Sequence, residues 1–486
     1  MTPGTPVPGR GDVEQMRGSA EPTAGRRMLL ITPAFPPESA VGALRWQKFA
    51  AVFAEHGIAL DVVMHHPRQI DAPDWSRLNA LPSDTRVFGV AAPEPRLQRV
   101  HRLLLAGRNR LRRPAAAAAH SVEPEARPGA AARAADATVD RAVLRWRHAR
   151  IGTIGATYRY LLRVAGTGAW SRAAAAWSLE LTRRHDYAAV ITSGPPHEAH
   201  AAGVRVARIT GLPFVMDMRD PWSLNRRIPS QIATPLYFAQ AGRAEARAVR
   251  AARFVLANTG AACERLQALY PRYADRIITV MNGSDDDPLP PPAFSDRFVA
   301  AFAGSLYMDR NPVLFFRAAA AAIQTLGATP AEFGVELMGH VASYGGAAVA
   351  DLAAREGIGA YVALHPPGPR AAALDFLARA PLLFSLLEDL DDSVPAKIYE
   401  YVRFPAWLLI LARADSANAR LLRGTTACVL DPLDVSGMTA MLVRCFRAFR
   451  AGERPTAAAA DGRFSRRVQA ERLVAALGRL SAEPAR

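Results

Sequence analysis

From residue 28 onward the chain alternates short apolar runs with longer amphipathic stretches. Met28–Thr32 is apolar and stops at Pro33, and the loop Pro33–Gly42 follows. Ala43–His56 then sets Leu44, Phe49, Val52 and Phe53 largely on one face of a helix, with Gly57 placed to end it. Ala59–Met64 is apolar again. Strand, helix, glycine and strand make a βαβ unit, whose two strands are parallel. The pattern recurs: Tyr187–Thr192 predicts a strand, residues 197–210 a helix ended by Gly211, and Phe214–Met216 the next strand. Arg253–Asn258 and Ile277–Met281 continue the series, so this half predicts an open parallel sheet.

Residues 91–185 break the rhythm. They are rich in Ala and Arg, poor in strand signal, and interrupted by Pro114, Pro124, Pro128 and Gly129. They predict a helical insertion with a mobile centre near 114–135. Alternation resumes after the Pro-rich stretch Asn282–Pro292, which suits a semi-rigid linker. Phe298–Ala303, Val335–Met338, Tyr361–Leu364, Leu382–Leu387, Trp407–Leu411 and Cys428–Leu430 predict the strands of a second α/β domain. The expected layout is a disordered leader over 1–25, a first domain over 26–287 holding the 91–185 insertion, a linker over 288–297, a second domain over 298–461, and a closing helix over 462–486.

Composition changes this picture in three places. Half of the 486 residues are apolar, enough for two sizeable cores. The cysteines, Cys263, Cys428 and Cys445, lie far apart, without metal-ligand spacing and odd in number, which fits a reducing compartment. No apolar run is long enough to span a bilayer, and residues 1–25 lack the core of a secretion signal; Met28 offers an alternative start. The expectation is a cytoplasmic protein. The net charge of +16 is uneven, because residues 86–150 carry fourteen Arg against five acidic residues. A basic segment of that kind suits nucleic acid, an anionic membrane surface or a phosphorylated acceptor, and equally a solvated, arginine-biased insertion.

Ligands of doubly wound sheets sit beyond the carboxyl ends of the strands, so the residues there carry the chemistry. After Phe298–Ala303 come Gly304 and Ser305, and then Arg310. The glycine allows close backbone approach, and the arginine offers a bidentate cation to a diphosphate. After Leu382–Leu387 comes Asp392-Ser-Val-Pro-Ala-Lys397-Ile-Tyr-Glu400. Lys397 and Glu400 share a helix face. The lysine suits phosphate and the carboxylates suit ribose and sugar hydroxyls; the same residues also fit an ordinary surface ion pair beside an acidic loop. In the first half, Arg219, Asp220 and Trp222 follow one strand, and His197 and His200 follow another. Both groups fit an acceptor site or a purely structural role. A Walker A motif, a Gly-x-Gly-x-x-Gly and a metal-binding Asp-x-Asp are all missing, and Asp285–Asp287 reads as a charge run.

Taken in order, these pieces resemble the glycosyltransferases of family 4. Pro36, Pro37, Gly42 and Arg45 resemble the loop after the first strand. Arg219-Asp220-Pro-Trp222 resembles an Arg-Asp-Pro-Trp element. Asn282-Gly283 with Asp285 resembles the domain junction, Gly304–Tyr307 the start of the donor domain, and Asp392–Glu400 a Glu-x7-Glu element. Phe464-Ser-Arg466 resembles the segment that returns to the first domain. The resemblance implies the GT-B fold: two doubly wound Rossmann-like domains facing a cleft, with a helical insertion in the first. It implies a retaining transfer from a nucleotide-diphosphate sugar to a polysaccharide, lipid-linked or similar glycan acceptor, with no metal, no other cofactor and no nucleic-acid partner. Arg310 and Lys397 would hold the diphosphate, with Gly304 and Ser305 beside it. Glu400 would bind ribose, Asp392 would sit by the transferred sugar, and Gly42 would let its loop approach the phosphates. Arg45, Arg219, Asp220 and His197 would face the acceptor. The resemblance leaves out the arginine-rich insertion; the charge of residues 86–150 is what would favour peripheral attachment to the inner face of the plasma membrane. Asp392 stands where the family usually has Glu, and Arg310 where Lys is common. A sugar-nucleotide epimerase on the same fold and a non-catalytic sugar-nucleotide binding module are the competing readings.

Overall fold

The computed structural model describes residues 13–18, 26–39, 41–71, 73–111, 154–225, 233–307, 310–386 and 392–481. The first half runs β1 (Val13–Arg17), β2 (Arg26–Ile31), α1 (Val41–Glu55), β3 (Ile58–His65), α2 (Ser76–Asn79), β4 (Arg86–Val90), α3 (Arg96–Leu111), α4 (Ile154–Arg184), β5 (Ala189–Gly194), α5 (Ala199–Thr210), β6 (Phe214–Met218), α6 (Pro235–Ala251), β7 (Phe254–Ala257), α7 (Gly260–Leu269) and β8 (Ile277–Thr279). Its sheet has the order β1-β4-β3-β2-β5-β6-β7-β8, parallel except for β1. The central strands are buried on both faces, which is why they read as unbroken apolar runs. Leu29 and Ile31 point to one layer, built with Trp170, Val206 and Val249 from α4, α5 and α6. Met28 and Leu30 point to the other, with Trp46, Phe49 and Phe53 of α1.

The second half runs β9 (Phe298–Ala303), α8 (Val313–Leu326), β10 (Phe333–Met338), the hairpin β11 (Ser343–Tyr344) and β12 (Ala347–Ala348), α9 (Val349–Arg355), β13 (Val362–His365), α10 (Arg370–Ala378), β14 (Leu382–Leu386), α11 (Ala396–Tyr401), β15 (Trp407–Leu411), α12 (Ala417–Leu421), β16 (Cys428–Leu430), α13 (Val435–Arg450) and α14 (Arg466–Gly478). Its sheet is parallel throughout, in the order β13-β10-β9-β14-β15-β16. Phe298, Phe302 and Phe315 fill one face with α8 and α13, and Val299, Leu383 and Ile398 fill the other with α10 and α11. The strand order reverses between β9 and β14 here, and between β2 and β5 in the first sheet. Each sheet therefore has its own crevice for ligands.

α14 belongs spatially to the first half: Ala470, Leu473 and Leu477 are buried with Trp46 and Phe53. The outgoing and returning segments also touch. The Arg466 amide donates to the Ser284 carbonyl (2.8 Å) and the Ser284 amide to the Phe464 carbonyl (2.9 Å). Arg466 pairs with the buried Asp285, so that residue is not part of a solvated charge run.

Two expectations need correction. The leader over 1–25 contains β1, an antiparallel edge strand on β4, held by the Arg17 guanidinium at the Leu81 carbonyl (2.6 Å). An edge strand needs only one packed face, so its polar sequence hid it. The stretch 91–185 is not wholly an insertion. Its second half is α4, the crossover to β5, with Trp170, Ala174, Ala175 and Leu181 in the core. Alanines that looked like composition bias let this helix pack closely. The expected mobile centre near 114–135 lies outside the described residues.

Leu473 tests the return of the chain. Leu473→Ala should lower the unfolding free energy by roughly 2–5 kcal/mol, read by urea titration. A loss under about 1 kcal/mol would detach α14 from the first core.

Candidate functional site

The sequence-derived candidates gather at the two switch points. Gly304, Ser305 and Arg310 follow β9, and Asp392, Lys397 and Glu400 follow β14. Across from them, Gly42 and Arg45 follow β2, His197 follows β5, and Arg219 and Asp220 follow β6.

Lys397 is the most unusual group. Its Nζ is fully covered and has no hydrogen-bond acceptor among the described residues. It lies 3.7 Å from the centre of the Phe302 ring, and a Cβ on Gly304 would come within 3.4 Å of it. Gly304 has φ +143°, which glycine alone adopts freely. Burial first, and the positive charge of Arg310 second, push the Lys397 ammonium well below the usual lysine range. Arg310 is itself nearly buried, stacks on Tyr307 (4.4 Å) and donates from Nη1 to the Ser305 carbonyl (3.2 Å). Burial beside a second cation makes this an electropositive environment, a costly one for an ammonium unless an anion is to occupy it. Tyr401, which sequence reasoning missed, fixes the distance between the two switch-point segments. Its hydroxyl accepts from the Ala303 amide (2.7 Å) and donates to the Ala303 carbonyl (3.2 Å), tying α11 to the end of β9.

Glu400 lies a turn beyond Lys397. Arg370 donates to both its oxygens (3.0 and 3.1 Å), and Arg403 adds a bond to Oε1 (3.3 Å). Burial still raises its carboxyl above the ordinary range, against the pull of Arg370. Arg370 also reaches Asp285 (3.4 Å). No sequence signal marked Arg370, because its two partners lie in other segments. Asp392 does not join Lys397 or Glu400. Its carboxylate pairs with Arg265 and its carbonyl accepts from Thr259 (2.6 Å), both of the first half. The expectation that it lines a sugar is corrected to an interdomain contact in this state, consistent with a side chain one methylene shorter.

On the opposite side, Gly42 and Arg219 interlock. A Cβ on Gly42 would lie 2.0 Å from Arg219 Nη1, so the space that glycine leaves is filled by this guanidinium rather than open for a ligand. Arg219 donates from Nη2 to the Pro195 carbonyl (2.9 Å). Burial raises the Asp220 carboxyl, and Arg219 opposes the rise. His197 stacks on Trp222 (5.0 Å, 14°), with its Nδ1 3.4 Å from Nε2 of His200; His200 Nδ1 meets Thr192 Oγ1 at 2.8 Å. Burial drives both imidazoles down, His200 to about 4 and His197 well below its ordinary value, so both are neutral near pH 7. Glu38, three residues beyond Phe35 in the β2 loop, is a further carboxyl raised by burial beside Arg219 and Arg77. Its adjacency to Pro36-Pro37 was the available signal.

Arg45 is reassigned. It is buried, pairs with Asp217 through Nη2 (2.9 Å) and Nε (3.2 Å), and donates to the carbonyls of Met281 (2.6 Å) and Val280 (2.9 Å). Trp46 and Ser193 complete the shell of Asp217, both at 2.8 Å. This guanidinium ties α1 to β6 and to the start of the linker.

No protein-family model matches the chain, and no curated protein matches it in sequence. Solved structures do. A glycosyltransferase from Rickettsia africae superposes with a TM-score of 0.58 at 10% identity, over 95% of this chain and 100% of that one. HepE from Anabaena, solved in complex with UDP and glucose, gives 0.53 at 13% identity, over 93% and 100%. An α,α-trehalose 6-phosphate synthase from Burkholderia multivorans gives 0.55 at 13% identity, over 95% and 99%. The chain has the GT-B fold.

Lys397 makes a pH-dependent statement. A depressed folded pKa means that the unfolded chain binds the extra proton, so stability rises with pH from the lowered value up to the ordinary lysine pKa of about 10.4. Lys397→Met should abolish that rise and leave the empty protein at least as stable near neutrality. Denaturant titrations of both proteins across this range check it; parallel pH profiles would mean that the ammonium is not desolvated.

Proposed function

We propose that the chain is a retaining glycosyltransferase of the family 4 type, which transfers a sugar from a nucleoside diphosphate sugar to a polysaccharide, lipid-linked or similar glycan acceptor. The observation that carries this reading is the Lys397 ammonium, buried at the switch point of the second sheet with no acceptor among the described residues. A diphosphate supplies the anion that this ammonium needs. As the glycosidic bond to the leaving diphosphate breaks, negative charge grows on its oxygen. Cations already fixed there, in a site poor in water, stabilise that charge without reorganising. Gly304 keeps the backbone clear of the phosphates. Glu400 receives the ribose hydroxyls, sharing its oxygens with Arg370 and Arg403 or displacing one of them.

The first domain supplies the acceptor side. Arg219, Asp220 and the His197–Trp222 stack stand at the carboxyl ends of β5 and β6. Direct contacts between the halves, Arg265 with Asp392 and Arg420 with Glu264 (2.6 Å), hold the cleft together and limit access of water, which would otherwise take the sugar. The reaction as read needs neither metal nor other cofactor, because the two cations do the work of a divalent ion at the diphosphate. UDP is the first nucleotide to test, since the Anabaena structure holds UDP and glucose. The epimerase and binding-module readings have no feature of this cleft in their favour.

A thermal-shift panel of UDP-, GDP- and ADP-sugars should single out one donor, with a stabilisation of about 2.7 kcal/mol at a hundred times its Kd. With that donor, Lys397→Ala should cut turnover by roughly 10²–10³-fold without lowering the melting temperature of the empty protein, and the product should keep the anomeric configuration of the donor by proton NMR. Wild-type turnover in Lys397→Ala would remove the site, and an inverted product would remove the retaining assignment.

A further inference from the structure

α3 is anchored on one side and apolar on the other. Gln98 donates from Nε2 to the Leu162 carbonyl of α4 (3.0 Å), and His101 Nδ1 lies 3.0 Å from the Tyr158 hydroxyl. On the far side Leu97, Val100, Leu103 and Leu104 are 36, 52, 62 and 65% exposed, at a spacing that forms one helical stripe. Soluble proteins rarely leave such a run of leucines in water without a use for it. The helix sequence carries five Arg and no acidic residue. Arg99 and Arg102 touch Glu94 at the helix start (3.6 and 2.8 Å) yet remain 59 and 67% exposed. The neighbouring helices add to the surface. Leu161 of α4 is exposed, and Tyr160 beside it donates to Gln240 of α6 (2.7 Å), where Phe238 is exposed too.

Topology places this surface. α3 follows the end of β4 and α6 follows the end of β6. Their first turns therefore lie at the carboxyl edge of the first sheet, the edge that also carries His197 and Arg219. We propose that α3 is a membrane-docking helix lying in the plane of an anionic bilayer surface, with Leu97, Val100, Leu103 and Leu104 among the acyl chains and Arg96, Arg99 and Arg102 at the lipid phosphates. Paired leucine and arginine faces are what an interfacial helix requires, and no described helix is long and apolar enough to cross the membrane instead. Nucleic acid would use the arginines and leave the leucines in water. A second copy of the chain would bring two arginine-rich faces together, which like-charge repulsion opposes. Docking in this orientation turns the first-domain side of the cleft toward the membrane, where an amphiphilic acceptor would reside. That consequence rests on the transferase reading, whereas the docking does not.

The test is sedimentation of the full-length protein with vesicles of phosphatidylcholine, with or without phosphatidylglycerol, over a salt series. Binding should require phosphatidylglycerol and weaken with salt. Leu103→Glu combined with Leu104→Glu should reduce it by roughly tenfold or more, with the melting temperature unchanged because both residues are already exposed. Arg96→Gln with Arg99→Gln should flatten the salt dependence. Failure of the wild-type protein to bind phosphatidylglycerol vesicles, or undiminished binding by the leucine variant, overturns the proposal. Light scattering that shows a dimer dissolved by the leucine substitutions also overturns it, in favour of a contact between copies. Vesicle binding is read without turnover, so either result leaves the transferase assignment to its own test.

Discussion

One buried carboxylate ties together the two crossings between the halves. Asp285 lies where the chain leaves the first half, and it holds Arg466, where the chain returns, and Arg370, at the rim of the second sheet. Backbone bonds between Ser284 and the Phe464–Arg466 segment lie alongside. A buried ion pair of this kind contributes little net stability, but losing one partner strands a charge in a poor solvent. It therefore acts as a constraint on how the outgoing and returning segments lie against each other.

The same guanidinium that meets Asp285 also holds Glu400. Glu400 and the domain junction thus share Arg370, so a change at Glu400 alters the electrostatics at the crossing as well. Lys397, on the same helix as Glu400, is held in the opposite condition, desolvated and with no hydrogen-bond partner among the described residues. Desolvating an ammonium is costly, which sets Lys397 apart from the paired Glu400. Burial acts less sharply in the first half, with two neutral histidines and a raised Asp220 at its strand ends.

α3 gives this arrangement a direction. Its first turn follows the carboxyl end of β4, whereas Tyr187 and the buried Asp61 with its arginines lie toward the opposite end of the first sheet. The start of the apolar stripe shares an end with His197 and Arg219 because helices that follow parallel strands all begin at the carboxyl edge.

What the order of residues settles is whatever depends on neighbours along the chain. Alternating apolar runs and amphipathic stretches marked most of the strands of both sheets, because burial on both faces leaves a continuous apolar signature. The residues just past β9 and β14, Gly304, Arg310, Lys397 and Glu400, were legible because ligands of such sheets bind at strand ends. Partnership across the chain was not legible. Arg45 carries a charge that looked available until Asp217, 172 positions away, claimed it. Asp392 looked like a sugar ligand until Arg265 took its carboxylate, and Arg370 had no mark at all. β1 and α4 hid for a related reason, since a one-sided edge strand and an alanine-rich packing face have no local pattern of their own. Local chemistry fixes which segments form and where their ends fall; which buried charge is spent on structure and which is left for a ligand depends on distant segments meeting in a medium where every unpaired charge is costly.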